Sequence, residues 1–167
     1  CIRDSNKSVI LIVENNKKDT IGFVINKKTN YLLSDIDPRF KELKIPIFKG
    51  GPVKFDSIHF IHKKSELFEK SKMITEEIFW GNQFEKAIKL IQQQKINNNE
   101  IKFFLGYSGW EKNQLDHEIE EKAWLLTNNY KVSDIFNYDK LIWKKKIEKF
   151  GEYYKIWSNS PENPNYN

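Results

Sequence analysis

The chain has 167 residues, 39% of them apolar and 14% aromatic, with 28 Lys and Arg against 23 Asp and Glu for a formal charge of +5. That is enough core material for one folded domain and too much for a disordered chain, and no apolar run approaches the roughly 20 residues of a membrane-spanning helix. A single cysteine, Cys1, excludes an internal disulfide and a four-cysteine zinc site.

In chain order, residues 8–14 (SVILIVE) form a β-branched run suited to a strand, and residues 20–26 (TIGFVIN) form a second across a polar turn, predicting a hairpin. Gly22 inside the second strand marks a bulge or a close approach of another backbone. Residues 31–43 read as irregular with one helical turn. After Ile47 and Phe48 come Gly50, Gly51, Pro52 and Val53, then a strand over residues 57–62 and a short one near Lys72. Asn82 with Glu85 three residues later has the form of a capping box, and Phe84, Ala87, Ile88 and Ile91 repeat at helical spacing to about Gln94. Residues 101–105 form a strand leading into a glycine loop, Gly106-Tyr107-Ser108-Gly109-Trp110. Two further helices are predicted over residues 113–126 and 138–150, the last ending at Gly151. One domain over residues 1–157 and a loose Ser/Pro/Asn-rich tail over 158–167 follow from this order. Hairpins first and alternating strands and helices later predict an α/β (α+β-like) fold, a mixed sheet with about three helices.

The positive charge is nearly all lysine, 26 residues against Arg3 and Arg39. Lysine supplies a mobile point charge where arginine supplies the planar fork that reads guanine or phosphate. The chain is also rich in Ile and Asn, so compositional bias is the plainer source of these lysines, and direct nucleic-acid binding is the weaker reading. The chain starts at Cys1 without a methionine or a signal-like apolar segment. A processed N-terminus or a start inside a longer protein is expected, and the expected location is cytoplasmic.

Chemical motifs are sparse. His59 and His62 lie three apart in one strand and point to opposite faces, so they cannot share an ion. His117 has Glu120 and Glu121 at helical spacing, which makes an exposed salt-bridging histidine and not a complete metal site. Ser108 lacks the Gly-x-Ser-x-Gly spacing of a nucleophile elbow. Gly50-Gly51-Pro52 lacks the lysine and hydroxyl of a phosphate loop. The best pocket candidate is the glycine loop ending at Trp110, beside the start of a helix. No metal and no cofactor is expected.

Several blocks together carry a resemblance: residues 8–12 (SVILI), residues 22–26 (GFVIN), Gly50-Gly51-Pro52-Val53, Phe60-Ile61-His62, and residues 104–110 (FLGYSGW) with Gln114-Leu115, Glu118-Ile119 and Trp124. In this order they resemble the YqgE/AlgH family of small bacterial proteins, over about residues 8–151. The resemblance implies a strongly curved, half-barrel sheet with helices around it. It implies a further apolar strand before residue 8, which this chain does not show. Lys27-Lys28 stands where the family commonly has Arg-Pro. Some members are described as transcriptional regulators, and the resemblance brings no catalytic residues.

The expected function is therefore a non-enzymatic regulatory or binding protein. Its candidate cleft is Gly50, Gly51, Pro52, Val53, His62, Gly106, Tyr107, Ser108, Gly109, Trp110 and Gln114, facing an unidentified protein or small ligand. An enzyme using Ser108, His62, Asp116 and Glu118 is one alternative, and a scaffold is another. A homodimer through an exposed sheet edge is a further expectation.

Overall fold

The computed structural model describes residues 7–158. Eight strands form one sheet: β1 Ile10–Asn15, β2 Asp19–Val24, β3 Lys28–Leu32, β4 Pro46–Lys49, β5 Val53–His62, β6 Lys72–Thr75, β7 Ile78–Gly81 and β8 Ile101–Glu111. The helices are α1 Leu33–Ile36, α2 Phe84–Gln92, α3 Gln114–Glu120, α4 Val132–Phe136, α5 Ile142–Ile147 and α6 Glu152–Ser158. Six helices thus stand among the described residues, where the sequence led us to expect about three. The expected tail falls mainly on residues 159–167, outside the described ones.

β8 organises the sheet. The main strand order is β1-β2-β8-β5-β7-β6, all antiparallel. β4 runs parallel to β8 and carries β3 on its outer side. The sheet curls strongly: Phe23 on β2 and Trp80 on β7 are separated by two intervening strands, yet their rings are 5.6 Å apart. Neighbouring strands lie about 4.8 Å apart, so a flat sheet would hold these residues far beyond ring contact. The outer strands approach through the Lys72 Nζ–Glu14 Oε1 pair at 2.7 Å, giving a nearly closed barrel.

Each face has its own core. On the outer face α2 lays Ala87, Ile88 and Ile91 against Phe60 and Phe103. On the inner face Phe23, Phe48, Ile61 and Phe104 gather with Ile135 and Phe136 from α4 and Ile142 from α5. Burying such aromatic and branched side chains stabilises by roughly 1.5–3 kcal/mol each.

Local differences from the sequence reading have physical causes. The capping box does not form. Glu85 instead accepts two hydrogen bonds from Arg39 at 3.1 Å, and α2 starts at Phe84 without a side-chain cap. The glycine loop is strand throughout, the second half of β8. α3 stops at Glu120 because the chain turns at Lys122, φ 61°, bringing Trp124 back to Glu118. The last predicted helix starts late, at Ile142, since the Asp139 carboxylate holds the Leu141 amide at 2.8 Å. It ends in a 3-10 turn at Gly151, φ +116°.

Candidate functional site

The two glycine motifs meet as one backbone crossing. β4 follows one edge of β8 as far as the Lys49–Leu105 pair, and β5 resumes on the opposite edge at Val53–Tyr107. In between, the chain passes across β8. A Cβ on Gly50 would lie 2.1 Å from the Gly106 carbonyl oxygen, and one on Gly51 would lie 2.2 Å from the Tyr107 carbonyl. Gly106 holds φ +65°, where a side chain is strained. β2 takes over the vacated edge at Gly22–Ser108. The Gly50 amide donates to the Leu105 carbonyl at 2.8 Å, and the Gly50 carbonyl accepts from the Val24 amide at 2.9 Å. Ser108 is buried, and its hydroxyl donates to that same Gly50 carbonyl at 3.2 Å.

Beyond the crossing, the inner face ends in half-buried rings. His59 on β5 lies 5.4 Å from the Phe23 ring, 6.0 Å from Trp80 and 5.8 Å, edge-on, from Tyr107. Phe23 is buried, whereas His59, Trp80 and Tyr107 are half-buried. Val53 borders them, and residues 54–57 bulge out of the β5 ladder, leaving Phe55 76% exposed. His59 Nε2 is 3.0 Å from Ser57 Oγ, which also lies 2.7 Å from the Lys54 carbonyl. Burial first, then the charge on Lys54, lowers the His59 pKa, so the ring is neutral at neutral pH.

The other expected residues sit elsewhere. His62 is fully buried on the outer face, its Nε2 2.7 Å from Ser71 Oγ and its ring 4.2 Å from Phe68. Glu118 is a hub: it accepts from Trp110 Nε1 at 2.9 Å, Trp124 Nε1 at 2.7 Å and Gln114 Nε2 at 2.8 Å. Burial alone would raise its pKa, but the bonds from Trp124, Gln114 and Trp110 outweigh burial and hold it low. Gln114 in turn accepts from the Glu111 amide at 2.9 Å, so this network welds α3 to the end of β8. Asp116 is exposed and lines a shallow depression of about 240 Å³ with Asp19, Lys17 and Lys112. His117 is exposed, 3.3 Å from Glu121. Ser108, His62, Asp116 and Glu118 make no hydrogen bond to one another among the described residues. Pro52 and Gly109 are exposed at the crossing.

Two features were missed in sequence. The pair Ser57–His59 spans only two positions, and its signal was a hydroxyl and an imidazole on one face of a strand. The charge count does not set Lys102 apart from the other lysines, yet it is 3% exposed. Its neighbours in sequence, Ile101, Phe103 and Phe104, are all apolar, which was the available signal.

A family model described as AlgH-like matches residues 3–155. The chain is similar to a UPF0301 protein of Chlorobium limicola, 33% identical over 96% of this chain and 86% of the relative. It is also similar to a UPF0301 protein of Bacteroides thetaiotaomicron, 32% identical over 99% and 86%. Two solved structures share the fold. The AlgH protein of Pseudomonas aeruginosa matches at TM-score 0.71 and 21% identity, over 92% of this chain and 84% of that one. A Corynebacterium diphtheriae protein matches at 0.73 and 17%, over 92% and 82%.

Proposed function

The chain belongs to the AlgH-like family, and on that premise we propose that it is a non-enzymatic binding protein of regulatory role that takes a planar apolar group of its partner on the open inner face of the sheet. The observation that carries this reading is the contiguous half-buried cluster His59, Trp80 and Tyr107. Aromatic faces at a barrel mouth with a few polar groups are a recurrent design for ligand recognition. Val53 and Tyr107 contribute directly to this face. Gly50, Gly51, Gly106 and Ser108 support it by letting β4 and β5 cross β8 without a gap.

The Ser57–His59 pair favours an enzyme less than its spacing suggests. With the Ser57 hydroxyl hydrogen on the Lys54 carbonyl, His59 Nε2 is left to donate to Ser57, the reverse of the direction that activates a serine. No carboxylate bonds His59 among the described residues. A regulator acting by direct DNA contact would show binding that falls steeply with salt; the scarcity of arginine argues for a protein or small-molecule partner.

The test is an NMR titration of labelled protein with a library of planar aromatic compounds. Shifts should converge on the Trp80 indole and the His59 and Tyr107 rings, and Trp80→Leu should weaken binding at least tenfold. Shifts confined to other surfaces, or none at all, would overturn the reading and favour a scaffold.

A further inference from the structure

Lys102 sits on β8 with its side chain on the inner face, where Phe48 and Phe104 pack. Its Nζ donates to the Ile25 carbonyl at 2.9 Å and to the Ile135 carbonyl at 2.7 Å, and it lies 3.9 Å from the centre of the Phe48 ring. Ile25 follows β2, and Ile135 belongs to the last turn of α4, whose final carbonyls have no partner within the helix. One amine thus joins the sheet to α4. This helix has five residues, too few to be stable alone. It covers the inner core through Ile135 and Phe136.

The charges around this amine do not compensate it. No carboxylate bonds Lys102 among the described residues. From β3, Lys28 lies 3.9 Å over Tyr138, and from the end of β5, Lys63 lies 4.7 Å over Phe136. On α4 the acidic group is Asp134, already engaged by Lys146 of α5 at 2.8 Å and by the Lys131 amide at 3.1 Å. Asp139 is taken by Lys145 at 2.6 Å. A neutral amine has two hydrogens, and two carbonyls accept them. A proton added to it places a charge in an apolar core with no carboxylate among the described residues to balance it. Only the face of Phe48 is left for the third hydrogen, and the charge of Lys28 opposes it.

We propose that Lys102 is a proton-sensitive clamp, which holds α4 over the inner face of the sheet while its amine is neutral and lets α4 lift when the amine takes a proton. Burial foremost, and then the charge on Lys28, brings this amine down to about 7 from its ordinary 10.5. When α4 is lifted, the amine meets water and recovers its ordinary affinity for protons. The sign follows: between these two values the lifted state binds a proton that the closed state does not. Lifting is favoured as pH falls through that window and levels off below about 7. The clamp does not depend on what the aromatic face binds.

Hydrogen exchange tests it on the wild-type protein. The Asp134 and Asn137 amides, bonded to the Lys131 and Ser133 carbonyls, report α4, and the amides of β8 report global unfolding. After correction for intrinsic rates, the α4 opening constant should rise about tenfold for each pH unit descended from 9.5 to about 7.5. The β8 amides should stay more protected throughout. In Lys102→Met and Lys102→Arg the α4 opening should be independent of pH over this range, since neither side chain titrates there. If those variants fail to fold, NMR titration of the Lys102 side chain in the wild type decides. A midpoint near 7 supports the clamp. A midpoint near 10, or α4 amides that exchange only together with β8, overturns it.

Discussion

The outer face of the sheet is sealed, with Phe60, Phe103, Ala87 and Ile88 no more than 2% exposed, and the histidine it contains, His62, is fully enclosed. The inner face is as dry at Phe23 and Phe104 but ends in three half-buried rings, and it holds a lysine between its core and α4. Both faces belong to the same strands, so backbone geometry does not explain the difference. A nine-residue amphipathic helix covers the outer face, while two shorter helices, of five and six residues, cover the inner one. The inner face leaves His59, Trp80 and Tyr107 half-buried, the surface proposed above for recognition.

The crossing that both faces share is the place to break the comparison outright. Gly51→Val puts side-chain atoms into the Tyr107 backbone and should cost about 4 kcal/mol or more, abolishing the cooperative thermal transition. Next, Phe103→Ala on the sealed face should cost about 3–5 kcal/mol in denaturant melts, whereas Trp80→Leu on the open face should cost under about 1.5 kcal/mol. Equal losses would show that the inner face is as structural as the outer.

Acid should act on the sealed face. Burial pushes the His62 imidazole down to about 4 against weaker opposition from the Lys64 backbone and Glu66. Between pH 6.5 and about 4 the unfolded chain binds a proton that the native one does not, so stability falls with pH across this window, by up to about 3 kcal/mol. His62→Leu should flatten that part of the pH–stability curve. Glu118→Gln should cost about 1–2 kcal/mol and alter tryptophan emission, because one acceptor of the Trp110–Trp124 hub is replaced by a donor. The smallest effect belongs to Phe55→Ser, within about 0.5 kcal/mol in stability, with any loss confined to binding.

Much of this was legible in the residues. The β1–β2 hairpin, α2, the opposite faces of His59 and His62, and the exposed His117 followed from period and spacing. Gly22 reads as a bulge or a close approach of another backbone, and both features meet there: β1 bulges between Ile12 and Glu14 opposite it, and a Cβ on Gly22 would lie 3.0 Å from the Leu11 carbonyl oxygen. The segment ending at Trp110 looked like a loop because two glycines interrupt it. It is strand because Gly106 and Gly109 lie where other groups come close, the crossing backbone and the Tyr107 ring. β3, β7 and α4 escaped notice because each is five residues or fewer, too short for a period to show.

Sequence alone determined the alternation of apolar residues and the family to which the chain belongs, because these are properties of neighbouring residues and their order. Only the tertiary structure decided that Gly50-Gly51 and Gly106 are two halves of one contact. It alone placed His59, Trp80 and Tyr107 on a shared face and put one lysine of 26 inside the core. Those outcomes depend on which distant strands the curl of the sheet brings together, and a local pattern of residues does not contain that information.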